Sequence, residues 1–244
     1  MSEAAEAPRR AFVEQVMGLP VSVHVRGDVR SEAVETAVGQ VWGLLRRVDT
    51  VFSTWRPDSE LMRLRRGELD AGAAHPWHAE VFELCAQATS RTHGLFSAAA
   101  AGTGEYDPTG LVKGWAVEKA AALLAHTPRV SFCINAGGDL VAGSGRWSEP
   151  STWQVGIEDP RQHGAVAATI PLRVGGLATS GTAARGAHIT DPRTGRSVAR
   201  DGSASVWGPS LLWADVWATA LFVDPEGGRA ALEAEQPAYG CLVL

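Results

Sequence analysis

Residues 130–141 read VSFCINAGGDLV. An apolar run over 130–134 meets the turn Asn135-Ala136-Gly137-Gly138-Asp139, and Val141 resumes the apolar character beyond it. That pattern predicts a hairpin or a strand–turn–strand unit. Working outward, residues 17–25 alternate apolar and polar with Val21, Val23 and Val25 on one face, as a half-buried strand does. Residues 153–157, 165–174, 203–206 and 239–244 read as further strands. Ser31 caps a helix with Val34, Val38, Val41, Leu45 and Val48 at helical spacing. Residues 52–64 are turn-rich and then helical, and Pro76 opens a helix carrying Val81, Leu84, Cys85 and Ala88. Residues 98–104 read as a loop, and 114–124, 211–223 and 227–235 as helices. Strands outnumber helices without βαβ alternation, so the fold class is α+β with a mixed sheet. With no repeat, linker or low-complexity tract, residues 1–244 read as a single domain, with 1–11 flexible.

Composition narrows the function classes. Hydrophobic residues at 45% and charged residues at 20% describe a globular chain able to bury a core. A formal charge of −5 argues against general binding to nucleic acid. No Lys/Arg run marks a membrane surface, and no stretch has the length of a membrane span. The start MSEAAEAPRRAFVEQV carries Glu3 and Glu6 where a signal peptide has basic residues. Cys85, Cys133 and Cys241 are scattered, odd in number and set among apolar neighbours, as free thiols of a reducing compartment are. The expectation is a cytoplasmic protein. G-x-G-x-x-G, the P-loop, H-E-x-x-H, paired C-x-x-C and G-x-S-x-G are all absent.

Chemistry concentrates in a few short segments. Asp107-Pro108-Thr109-Gly110-Leu111-Val112-Lys113-Gly114-Trp115 reads as a glycine turn that sets a carboxylate and an ammonium beside a helix start. Such a place suits a phosphate, and the Gly110 carbonyl suits a hard cation. Leu177-Ala178-Thr179-Ser180-Gly181 precedes His188-Ile189-Thr190-Asp191-Pro192-Arg193-Thr194-Gly195. The latter stretch reads mainly as a surface turn, while His188 suits either a general base or a hydrogen-bonded structural role. In Ala214-Asp215-Val216-Trp217-Ala218-Thr219-Ala220 a helix sets Asp215 and Thr219 on one face. They suit an oxygen site for Mg²⁺, or a helix-start carboxylate with a hydroxyl bonded to the backbone. Trp55, after Phe52-Ser53-Thr54, offers either a stacking face or a core ring.

In order, Met17-Gly18, Phe52 to Trp55 with Asp58-Ser59-Glu60, the 107–115 segment, Asn135 to Asp139, Ala178 to Gly181, His188 to Gly195 and Ala214 to Ala220 resemble the successive motifs of the FAD:protein FMN transferases, the ApbE family. The resemblance covers nearly the whole chain. It implies a T-fold-like α+β architecture with mixed and antiparallel sheets and packed helices. It also implies Mg²⁺-dependent transfer of FMN from FAD to an acceptor protein's threonine through a phosphoester bond, releasing AMP. By resemblance, Met17, Trp55, Phe96, Ser97, Ala98, Asp107, Lys113 and Ile189 contact FAD. Gly110 (through its carbonyl), Asp215, Ala218 and Thr219 surround Mg²⁺, and His188, Asp215 and Lys113 carry catalysis. A second copy of the chain, as a homodimer, is the other candidate partner. The same site would serve a Mg²⁺-dependent FAD pyrophosphatase giving FMN and AMP, and a non-catalytic FAD-binding protein is the reading from another class. Two departures bear on FAD binding. The segment 98–106 is short, which implies a more open adenosine side, and Arg65 stands where many relatives carry Asn.

Overall fold

The computed structural model describes residues 7–99, 104–182 and 189–244. Its elements, in chain order, begin with β1 (Arg9–Val16) and β2 (Leu19–Gly27), then α1 (Glu32–Phe52), α2 (Glu60–Arg65), α3 (Trp77–Arg91) and α4 (Thr109–Leu124). Next come β3 (Val130–Ala136), β4 (Asp139–Ser144), β5 (Trp153–Glu158), β6 (Val166–Leu172), β7 (Gly175–Gly181), β8 (Thr190–Asp191), β9 (Arg196–Ser197) and β10 (Ser203–Gly208). The chain closes with α5 (Leu211–Val223), α6 (Pro225–Glu235) and β11 (Gly240–Val243).

Seven strands pair antiparallel in the order β1-β2-β3-β4-β7-β10-β11. Alternation along the strands divides two cores. Val141 and Ala178 face the main core, built with the valine-rich side of α1 and with α4 and α5. Their neighbours Ala142 and Leu177 turn to the opposite face, where Val155, Ile157 and Leu172 of the β5–β6 hairpin cover them. α5 has no polar face to speak of. Eleven of its thirteen residues are buried, as a helix wedged between a sheet and other helices requires. The architecture is α+β with antiparallel sheets and packed helices. No described helix is long and apolar enough to cross a membrane.

The structure revises three local expectations. Met17 and Gly18 do not open a strand; with φ of 57° and 73° they form the two-residue turn between β1 and β2. The strand before them reaches back to Arg9, inside the segment expected to be flexible. β1 is a largely exposed edge, so no buried alternation announced it, and pairing to β2 orders it. Helix α4 starts at Thr109, five residues before the expected start, so Gly110 and Gly114 lie within a helix and not in a tight turn. Finally, the run expected as one strand over 165–174 breaks after Leu172, and β7 begins at Gly175 with φ of 109°.

Candidate active site

The N-terminus of α4 is built from its own sequence. Asp107 Oδ1 accepts from the Thr109 amide at 3.1 Å and from the Thr109 hydroxyl at 2.7 Å, which satisfies donors that a helix start leaves free. One turn on, Lys113 projects from α4 toward two carboxylates. Its Nζ pairs with Asp139 Oδ2 and lies 3.6 Å from Asp215 Oδ1. Asp139 reaches this place because Gly137 and Gly138, with φ of 61° and 100°, turn β3 into β4. Asp139 is buried, and its Oδ1 accepts from the Thr179 amide of β7 at 3.1 Å. Asp215 comes from α5, is also buried, and accepts at Oδ2 from the Gly114 amide at 3.2 Å. Burial pushes the Asp215 carboxyl above its ordinary range and Asp139 adds to this, while Lys113 and the Gly114 amide oppose it. An anion held at such a cost is one that further positive charge would stabilise.

Thr219 stands one turn beyond Asp215, its hydroxyl 3.1 Å from Ser180 Oγ of β7. The Gly114 amide is the one an α-helix directs at the carbonyl four residues back, that of Gly110. That amide engages Asp215, and Gly110, Asp215 and Thr219 all line one cleft. Carboxylate, hydroxyl and carbonyl oxygens are the donors a hard cation takes, so the residues present fit Mg²⁺. Among the described residues no three His, Cys, Asp or Glu side chains converge, so any cation here depends on neutral oxygens as well.

Above these groups opens a cleft of about 1260 Å³. That exceeds the range of about 300–1,000 Å³ usual for small-molecule sites and suits an extended ligand such as a dinucleotide. Met17, Trp55, Phe96, Ser97, Asp107, Gly110, Lys113, Ile189, Asp215 and Thr219 all line it. Trp55 is 91% exposed, so the core reading of this ring is excluded and a free aromatic face stands in the cleft. Phe96 and Ile189 are buried parts of its wall. Ala98 and Ala218 are not part of the lining. Ala98 accepts from the Asp107 amide at 2.7 Å, and Ala218 is buried within α5. His188 lies outside the described residues.

Several contributors were not singled out from sequence. Asp139 closes the Asn135–Asp139 motif and Ser180 sits in the 178–181 motif, so the signal for both was the motif itself. Glu158, Asp159, Pro160 and His163, at the tip of the β5–β6 hairpin, form another wall and carried no signal. Arg65 is also accounted for. It donates from Nε and Nη2 to the Tyr106 carbonyl at 3.1 and 2.7 Å and lies 3.8 Å from Asp107 Oδ2, tying Tyr106 and Asp107 to α2.

The ApbE family model matches residues 17–106 and 101–243, which together span almost the whole chain. The chain belongs to the ApbE family. Solved ApbE structures share its fold. Flavin transferase ApbE from Vibrio cholerae is 21% identical with a TM-score of 0.79, covering 97% of this chain and 93% of its own. The ApbE protein from Thermotoga maritima is 19% identical with a TM-score of 0.78, covering 97% and 94%. The flavinyl transferase ApbE from Pseudomonas stutzeri, in its apo form, is 22% identical with a TM-score of 0.78, covering 99% and 92%. No curated protein matches the chain.

Proposed function

We propose that this chain, as one flavin-transferase domain, moves FMN from FAD to a threonine of an acceptor protein, forming a phosphoester and releasing AMP. The observation that carries the reading is the Lys113–Asp139–Asp215 cluster, set in a dinucleotide-sized cleft with the exposed Trp55. It is supported by membership of the ApbE family and by the likeness to solved ApbE proteins named flavin and flavinyl transferases.

In this reading Trp55 stacks on a ring of FAD, Met17, Phe96, Ser97, Asp107 and Ile189 shape the pocket, and Ala98 supports Asp107 from behind it. Lys113 holds the pyrophosphate and balances charge that grows on the departing AMP. Asp215, Thr219 and the Gly110 carbonyl, with the backbone at Ala218, would hold Mg²⁺, which when bound supplies Lewis-acid charge to the pyrophosphate. The threonine oxygen bonds to the FMN-side phosphorus, the bridging P–O bond to AMP breaks, and the hydroxyl proton passes to His188. A homodimer is part of the same proposal.

Incubation with FAD, Mg²⁺ and a threonine-bearing acceptor tests it, with products separated by mass. A flavinylated acceptor and AMP support the proposal. Free FMN and AMP at equal rates with and without acceptor would assign a pyrophosphatase instead, and intact FAD bound to the protein would assign a binding protein.

A further inference from the structure

Helices α4 and α5 meet along matched ridges. Gly110, Gly114 and Glu118 recur every fourth residue on α4, as Leu211, Asp215 and Thr219 do on α5. The ridges touch at Gly114, where a Cβ would lie 3.1 Å from Asp215 Cβ, the Leu211 carbonyl oxygen and Leu212 Cα. One turn further along α4, Glu118 reaches the start of α5. Its Oε2 accepts from the Ser210 hydroxyl at 2.7 Å and from the Leu212 amide at 2.9 Å. Ser210 is the cap of α5, and its own amide donates to the Tyr239 hydroxyl oxygen at 3.1 Å. A carboxylate borrowed from another helix thus covers the Leu212 amide and the capping hydroxyl at the positive end of α5.

The two contacts do different things. Gly114 lets the helices approach and holds Asp215 by one amide bond, but without a side chain it offers no knob against sliding. Glu118 adds a grip on the end of α5. Moving toward the C-terminus of α4 leads toward the N-terminus of α5, so this grip bears on which α5 residues face Lys113 and Gly114. We propose that Glu118 is a positioning residue for the cation end of the cleft, holding the register that sets Asp215 against Gly114 and turns Asp215 and Thr219 into the cleft that Gly110 also lines. The proposal rests on the flavin-transferase reading of the site. A slip of one residue moves Asp215 by about 1.5 Å along the axis. Near-octahedral Mg²⁺, with donors at about 2.0–2.1 Å, does not accommodate such a shift.

The test titrates Mg²⁺ into the purified protein with FAD present, followed by thermal unfolding and flavin fluorescence, and measures FAD affinity separately in EDTA. Glu118→Ala should raise the Mg²⁺ midpoint by about 10–100-fold, as loss of a residue that orients ligands typically does. FAD affinity in EDTA should stay that of wild type, because Trp55 and the pocket walls are untouched. Glu118→Gln keeps an acceptor oxygen and should fall between the two; if Glu118→Ala does not fold, this variant carries the test by its raised midpoint. An unchanged midpoint in both folded variants overturns the proposal, and so does loss of FAD affinity in EDTA in step with the midpoint. If wild type itself shows no response to Mg²⁺, the cation reading fails and the role of Glu118 fails with it.

Discussion

The Gly114 amide donates to Asp215 Oδ2 at 3.2 Å, joining α4 to α5 where a Cβ at position 114 would crowd the α5 backbone. The bond exists because position 114 has no side chain. A methyl group there would meet the Leu211 carbonyl oxygen and Leu212 Cα, backbone atoms that cannot rotate aside. Gly114→Ala gains about 1 kcal/mol in helix propensity. Overpacking costs about 1–3 kcal/mol, so the strain should win. Denaturant unfolding should show a net loss of up to about 2 kcal/mol, with Asp215 displaced and transfer impaired. A variant more stable than wild type would mean that the helices part without cost.

Trp55 is a large apolar ring left in solvent at the edge of a cleft. Removing it takes little from the core, so Trp55→Ala should melt where wild type melts. Its affinity for FAD should fall by about 1–3 kcal/mol, the range for base stacking on an aromatic side chain. Fluorescence titration measures this directly, and equal affinity in the two proteins removes Trp55 from the site.

How much of this was legible depends on where each residue's constraint comes from. The Gly137-Gly138 reversal and the helix 211–223 were readable because their signals are local: paired glycines in one case, an unbroken apolar run in the other. β1 was not, since an exposed edge strand needs only a partner and shows no buried face. The early start of α4 was hidden for the opposite reason. Glycine usually breaks a helix, and only the packing of α5 explains why Gly114 sits inside one. In the site, the candidate residues that line the cleft were named from ordered motifs, apart from Phe96 and Ser97, which came from position in the resemblance. Their mutual geometry was not, because the Lys113–Asp139–Asp215 cluster joins three segments far apart in the chain.

Arg193 ties the β8–β9 hairpin, beside the cleft, to the start of α6. It donates to both Asp191 oxygens at 3.0 Å and to Asp224 Oδ2 at 2.8 Å. These bonds hold the Asp191 carboxyl below its usual range, and the Gly227 amide together with Arg193 does the same for Asp224. A depressed carboxylate stabilises the fold above its unfolded pKa, and that contribution is lost as pH falls through the folded value. Arg193→Gln should therefore melt slightly below wild type at neutral pH. The gap should narrow in acid, as pH falls below the ordinary Asp value of about 3.9. A gap that is the same at both pH values would mean that Arg193 acts by packing alone.

The last prediction separates the cation from the proton. Asp215→Asn keeps the size of a buried side chain and an oxygen able to accept from Gly114, but removes the charge a hard cation prefers. Transfer should fall sharply and return in part at high Mg²⁺, with FAD affinity in EDTA preserved. His188→Ala should behave differently. A general base typically contributes about 10²–10⁴-fold, so transfer should drop within that range and no added Mg²⁺ should restore it. Wild-type rate should also rise through the histidine titration, and the variant should lose that dependence. The pairing of outcomes is what matters. If Mg²⁺ rescues both variants alike, His188 acts on the metal site and not on the threonine proton. If His188→Ala transfers at the wild-type rate, Lys113 and the Asp215 end of the cleft carry the reaction without a side-chain base.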